Sequence, residues 1–427
     1  TPKAGNRMRH HLRRLAALGA TAAIASLGLM ATVAAPASAA TTYGPVDPSI
    51  LDGAPNSLRD IVNNQVADGD TVLLQAGATY VLDDCEGDGY LYSTADITVH
   101  GNGATIRQTC DRVVWAPQAN LTIDHVTITG GHDVTNEYDG GAFHSDGDEL
   151  IIRDSSLVGN ASCGDGGGIT FDSDGTLIVE NTTIANNSAE RGGAIASHAE
   201  SDATHRVTNS TITNNSADEG GGLFIHDGAN VALVYTTLVA NTTDATPIEC
   251  EEEPAPAPAS AHHVHGDVSA QANGSAANIE FAFQSSVLTT FASVIASPVE
   301  GPNCNIETED EFAASSVLTT TVSNGYNYSD DASCGLTGTG DRQSASNPNL
   351  GALAANGGTS QTRLPLAGSP LIDGVPLASC QADGAAGITT DQRGVTRPQG
   401  AGCDIGAVEV VFNAPAADVV LVPRFTG

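Results

Sequence analysis

Asp146, Asp172, His198 and His226 each stand six residues after the first glycine of a glycine pair, in four successive segments of similar pattern. His144 lies two residues before Asp146. Two carboxylates stacked on two imidazoles can bind a divalent metal or share a proton, and paired carboxylates are what glycoside hydrolysis needs. Phe171, Ser197 and Ile225 are expected to point inward, so alternation puts this column on the outward face. The loop His132–Asp139, longer than its counterparts, leads into the same strand. The same residues also read as turn chemistry. Ser145-Asp146-Gly147 and His226-Asp227-Gly228 are turn sequences, and polar side chains on an outer strand face need no function. No catalytic residue is therefore assigned; Asp146, Asp172, His198, His226 and His144 are the candidates.

The elements that position this column follow from an internal repeat. Segments beginning at Leu121, Leu150, Leu177, His205 and Val231 are 29, 27, 28 and 26 residues apart. Ten residues after the first start stands Gly131, and at the same offset in the next four stand Asn160, Asn187, Asn215 and Asn241. Units this short cannot bury their own apolar side, but stacking them buries Leu121, Leu150 and Leu177, and Ile123, Ile152, Val179, Val207 and Leu233, as continuous ladders. The recurrent Asn is expected to hydrogen-bond an amide of the neighbouring coil, about 4.8 Å away. The expected fold is all-β, a right-handed parallel β-helix. A β-sandwich is the alternative, but it gives no reason for Asn and Gly-Gly at fixed offsets. Upstream, Ser57 is placed to cap a short helix whose Leu58, Ile61 and Val62 cover the open end of the first coil.

The flanks read differently. The chain begins at Thr1, and Met8 is the expected start. Arg9, His10, His11, Arg13 and Arg14 precede an apolar run from Leu15 to Val33 and then Ala-Pro-Ala-Ser-Ala-Ala, which reads as a signal peptide over 1–40 cleaved after Ala39 or Ala40. A membrane anchor is the alternative, and no later stretch is long and apolar enough to span a bilayer. The body of the β-helix is placed at 41–250. Residues 251–280 form a Pro/Ala/His-rich insertion whose His262, His263 and His265 could bind a transition metal or stand in a solvated loop. Final irregular coils are placed at 281–350, a C-terminal region at 351–409 and a tail at 410–427.

Charge narrows the partners. The chain carries a formal charge of −34. Five of its basic residues precede position 41 and no acid does, so the exported part is more acidic still and has no lysine. Such a surface repels phosphate backbones, and nucleic acid is excluded as a partner. Eight cysteines, none in a C-x-x-C pair, suggest disulfides in an exported chain. Neighbour pairing is the simplest proposal: Cys85–Cys110, Cys163–Cys250, Cys304–Cys334 and Cys380–Cys403. Asp172 and Asp174, with Asp83–Gly89, hint at structural Ca²⁺, although neither stretch continues as an EF-hand loop. No other cofactor is expected. The column Asp124, Arg153, Glu180 reads as a charge ladder between coils. Sequons at Asn181, Asn209 and Asn241 read as a by-product of the repeat.

Several stretches resemble two known families. Thr182–Ile195 and Ser210–Phe224 resemble the polymorphic outer-membrane protein repeat, an Asn-containing strand followed by Gly-Gly. Gly351–Gly374 and Thr389–Glu409 look like the choice-of-anchor Q domain of bacterial surface β-helix proteins, and Gly301–Cys304, Asn324–Leu336 and Gly340-Asp341 also fit it. The resemblance implies a right-handed parallel β-helix, export and surface display, and no particular reaction. The C-terminal region is expected to be loop-rich and stapled by disulfides. Val422–Gly427 departs from a sorting motif by one residue. The polygalacturonase motifs are absent, since Gly131-His132-Asp133 is not Gly-His-Gly. The expected function is a non-catalytic, monomeric, extracellular protein that binds glycan or a cell surface. The alternative is a polysaccharide lyase or glycoside hydrolase acting from the outer face.

Overall fold

The computed structural model describes residues 39–85, 89–133, 140–199, 203–226, 228–244, 250, 275–282, 286–306, 319–382 and 385–411. Outside these lie nearly all of the expected signal peptide, most of the insertion with His262, His263 and His265, part of the His132–Asp139 loop and of the Asp83–Gly89 stretch, and the end of the tail.

From Ala40 to Arg342 the described chain is a parallel β-helix. Equivalent strands of successive coils pair in register: Leu121 with Leu150, Leu150 with Leu177, Leu177 with His205 and His205 with Val231. Ile123, Ile152, Val179, Val207 and Leu233 form the second inward ladder, each buried. The strands gather into a sixteen-stranded sheet and an eight-stranded one. The larger sheet folds over two runs, because Ile97–Gln108 and Leu121–Thr129 continue across the corner where later coils break into two strands. Ser57 caps the helical turn Leu58–Asp60 by accepting from the Asp60 amide, and Leu58, Ile61 and Val62 are buried against the first coils. Among the described residues no helix is long and apolar enough to cross a membrane.

Three corner devices close each coil. The corner between the two runs of the large sheet is a single left-handed residue: Asp154, Asn181 and Asn209 at φ 50°, 50° and 46°, then Tyr235 at 50°. Asn and Asp enter this region most readily among residues with a Cβ, so Asn181 and Asn209 are corner residues first and sequons second. The next corner holds the asparagine ladder. The amides of Gly131, Asn160, Asn187 and Asn215 donate to the side-chain oxygens of Asn160, Asn187, Asn215 and Asn241 at 2.9–3.0 Å. The ladder then crosses to Asn278 and Asn303, at the register of Gly222. The third corner needs glycine. Gly192 sits at φ 64°, and a Cβ on Gly193 would lie 2.5 Å from the Gly221 carbonyl of the next coil.

Residues 325–342 still stack on the last coils, Tyr328 pairing in parallel with Val294 and Arg342 with Tyr328; beyond them the chain lies along the second run of the large sheet. Two short antiparallel hairpins form there, Leu350–Ala354 with Thr362–Pro365 and Val375–Pro376 with Gly402–Cys403. Gln392 accepts from Thr211 and donates to Thr183 and Ser360; the Ala407 amide donates to Thr237. The buried Arg397 guanidinium stacks 4.1 Å from the Tyr235 ring and pairs with buried Glu409 at 3.1 Å. Four disulfides join Cys85–Cys110, Cys163–Cys250, Cys304–Cys334 and Cys380–Cys403. The last two staple the C-terminal half.

Candidate functional site

The eight-stranded sheet carries the candidate column, and its register explains how. Tyr92, Trp115, His144, Thr170, Ala196, Phe224 and Glu280 stack in one outward row. Asp146, Asp172, His198 and His226 form the row two residues on, while Ser145, Phe171, Ser197 and Ile225 point inward. The outward row is not exposed as expected. His144 is buried, and so are Thr170, Ala196, Phe224 and Glu280. The preceding corner segment folds back over this face: Asp165 receives the Thr170 hydroxyl on its carbonyl, and Arg191 lies 5.1 Å over the Phe224 ring.

The expected four-residue column separates into two clusters. In the first, His144 Nε2 lies 2.8 Å from Asp146 Oδ1 and 3.9 Å from Asp172 Oδ2. One donor atom from each of the three falls within 4.8 Å of the others. Burial pushes the His144 imidazole toward neutrality, but the charges and hydrogen bond of Asp146, with Asp172 behind it, outweigh that and raise its pKa. Asp172 Oδ1 is buried and has no hydrogen-bond partner among the described residues. In the second cluster, Asp165 takes both Arg191 nitrogens at 2.7 and 2.8 Å and lies 2.6 Å from His198 Nε2. Burial alone would neutralise Asp165, yet His198 and Arg191 hold its pKa below the ordinary value. His226 stacks on His198 with ring centres 5.4 Å apart. Among the described residues, the group of three whose donor atoms could hold a metal ion is His144, Asp146 and Asp172, and it does not include Asp174.

Sequence reasoning missed three members. Asp165 precedes the Gly-Gly corner and reaches the column only because the corner folds back. Trp115, the only tryptophan, and Tyr92 belong to early coils outside the regular repeat. Trp115 packs edge-on against Tyr92 at 5.4 Å, Tyr90 at 5.7 Å and His144 at 6.2 Å. Tyr92 and Trp115 are half-buried, so an aromatic shelf adjoins the first cluster. Beside it the buried Arg112 pairs with Asp133 at 2.9 Å.

Other pairings lie elsewhere. Ser197 and His205 are 2.6 Å apart, a nucleophile–base pair in appearance, but both are inside the coil. Burial there pushes the His205 pKa down to about 4, so it is neutral. The expected ladder of Asp124, Arg153 and Glu180 is partly redrawn: Arg153 meets Glu180 at 2.8 Å, while Asp124 holds His100 and His125 at 2.6 and 3.0 Å.

This geometry constrains reactions. An inverting hydrolase keeps its carboxyl groups roughly 6.5–9.5 Å apart to admit a water. The donor atoms of Asp146 and Asp172 lie within 4.8 Å of each other. Of the nearby arginines, Arg112 and Arg191 are committed to Asp133 and Asp165, which leaves neither as a proton-abstracting base.

Residues 54–243 match the family described as "Right handed beta helix region". Among solved structures, a crystal structure of pectate lyase Pel9A is similar at 14% identity, over 86% of this chain and 96% of that one, with a TM-score of 0.44. That likeness carries no argument about a site. No curated protein matches the sequence.

Proposed function

We propose that this chain is an exported, non-catalytic β-helix protein that binds glycan on the outer face of its eight-stranded sheet. The observation that carries the reading is the half-buried Tyr92–Trp115 shelf beside the His144, Asp146 and Asp172 side chains. An aromatic face offers a sugar ring apolar contact, and the carboxylates accept hydrogen bonds from its hydroxyls. The strongly acidic surface favours neutral sugars over uronates. Four disulfides support an oxidising, extracellular location, as does the leader-like N-terminus. Surface display through a choice-of-anchor Q-like C-terminal region, with polymorphic outer-membrane-protein-like repeats, belongs to the same proposal. So do the segment boundaries at 40, 250, 280, 350 and 409, and a monomeric state.

The test is a panel of neutral and acidic polysaccharides and a cell-surface preparation. A neutral glycan should bind, and Trp115→Ala should weaken it at least tenfold. Equal binding by Trp115→Ala, or no binding at all, rejects the reading. The compact cluster of His144, Asp146 and Asp172 favours a second reading, a polysaccharide lyase or retaining hydrolase. Release of unsaturated or reducing sugar that Asp172→Ala abolishes would replace the first reading with the second.

A further inference from the structure

We infer that His144, Asp146 and Asp172 form a site for one divalent transition-metal ion of the Zn²⁺ or Mn²⁺ class.

The donors come from two adjacent coils. Strand Phe143–Ser145 and the turn after it supply His144 and Asp146, and the residue after strand Ile169–Phe171 supplies Asp172. Parallel register holds the coils together, because Ser145 pairs with Phe171 and the next residues stack. The spacing suits an ion. Bonds of about 2.1 Å at a tetrahedral angle put neighbouring donors roughly 3.4 Å apart. His144 Nε2 stands 2.8 Å from one carboxylate oxygen and 3.9 Å from the other, so the pair straddles that separation. Side-chain shifts of a few tenths of an ångström would complete the geometry.

Two further observations go beyond an ordinary His–Asp ion pair. The imidazole is buried, with its side chain only 4% exposed, and sits edge-on to Trp115 with Nε2 aimed at the carboxylates. A ring fixed this way pays little entropy on coordination. Asp172 Oδ1 is also buried with no hydrogen-bond partner among the described residues. Buried carboxylate oxygens are seldom left unmatched, and a cation beside this carboxylate would offset the desolvation. The two aspartates stay 31% exposed, which gives an ion a way in.

The donor set also selects the ion. Calcium takes six to eight oxygens and has little use for an imidazole nitrogen, whereas zinc and manganese accept one nitrogen with carboxylates. The Ca²⁺ expected from Asp172 and Asp174 is therefore the competing outcome. The inference concerns the same three side chains as the proposed glycan site, but it is tested with metal alone, so that either reading can fail without the other.

The experiment uses the full exported chain with His262, His263 and His265 replaced by Ala, so that those side chains cannot compete. Chelator-treated protein is titrated with ZnCl₂, MnCl₂ or CaCl₂ by calorimetry, and thermal unfolding is followed in parallel. Zn²⁺ or Mn²⁺ should bind once per chain and raise Tm. Asp146→Asn, Asp172→Asn and His144→Gln should each weaken binding at least tenfold, and Asp124→Asn should leave it unchanged. Overturning results are no saturable binding, binding of Ca²⁺ alone, or loss on Asp124→Asn but not on Asp172→Asn. If a cluster variant fails to fold by circular dichroism, bound Cu²⁺ in the parent chain decides. Its electron paramagnetic resonance must show one imidazole nitrogen; none overturns the site.

Discussion

The asparagine ladder and the C-terminal cover both bury polar groups against the same coils, by opposite means. The ladder repeats one neutral amide from Asn160 to Asn241, each accepting from the coil before and held by the coil after. The cover uses single contacts: one arginine over one tyrosine, one buried ion pair, and one glutamine bridging two threonines. The ladder spreads its load over identical neighbours about 28 residues apart. The cover concentrates it in charges whose desolvation one partner must offset. Losing a rung should therefore disturb several coils, and losing a cover residue should free one segment.

The sharpest break of this contrast is Asn187→Leu. It removes the acceptor for the Asn160 amide and the donor to the Leu157 carbonyl, both buried. With each orphaned group costing about 1–3 kcal/mol, the expected loss is roughly 5 kcal/mol, seen as a lower urea midpoint for the whole β-helix. Arg397→Met should follow at about 4 kcal/mol, because Glu409 is left buried without its cation. Here hydrogen exchange should rise in residues 350–409 while ladder amides stay protected. A global loss equal to that of Asn187→Leu would abolish the distinction.

Acid should pull the two regions apart next. His205 is held neutral with a pKa of about 4, below its ordinary 6.5. The unfolded chain binds that proton first, so the coil loses stability as pH falls from about 6.5 to 4, by up to about 3 kcal/mol. Asp404 in the cover is pushed up by burial to about 6, from 3.8. The folded state binds that proton first, so the cover gains stability as pH falls from about 6 toward 4, to a similar extent. Denaturation at pH 5 and pH 7 checks both signs: His205→Asn should flatten the loss and Asp404→Asn the gain. The smallest expected effect is Arg153→Gln. Its pair with Glu180 is well exposed, and removal should cost under about 1 kcal/mol. A larger effect would mean that outer charges help hold the coils.

The candidate face shows how far periodicity can be read. Asp146, Asp172, His198 and His226 were readable as one column, because a fixed offset from Gly-Gly fixes register and register fixes the stack. Their division into two clusters was not. Asp165 enters from a corner that folds back, and the burial of His144 depends on what lies over the sheet. Tyr92 and Trp115 escaped notice because the early coils lack the regular spacing that would align them with His144.

By itself the sequence determined the coil. Alternating apolar residues, a recurrent Asn and a Gly-Gly corner are local signals repeated at one period, and each copy is satisfied by its neighbour. It also determined which residues share a row. Only the tertiary structure decided which row members meet, that the outer face is partly roofed, and that the C-terminal segment covers the threonine-lined strands. Gln392 reaches Thr183 across 209 residues, and no period links them. Such contacts depend on shape and on unique buried charges, which spacing along a chain does not encode.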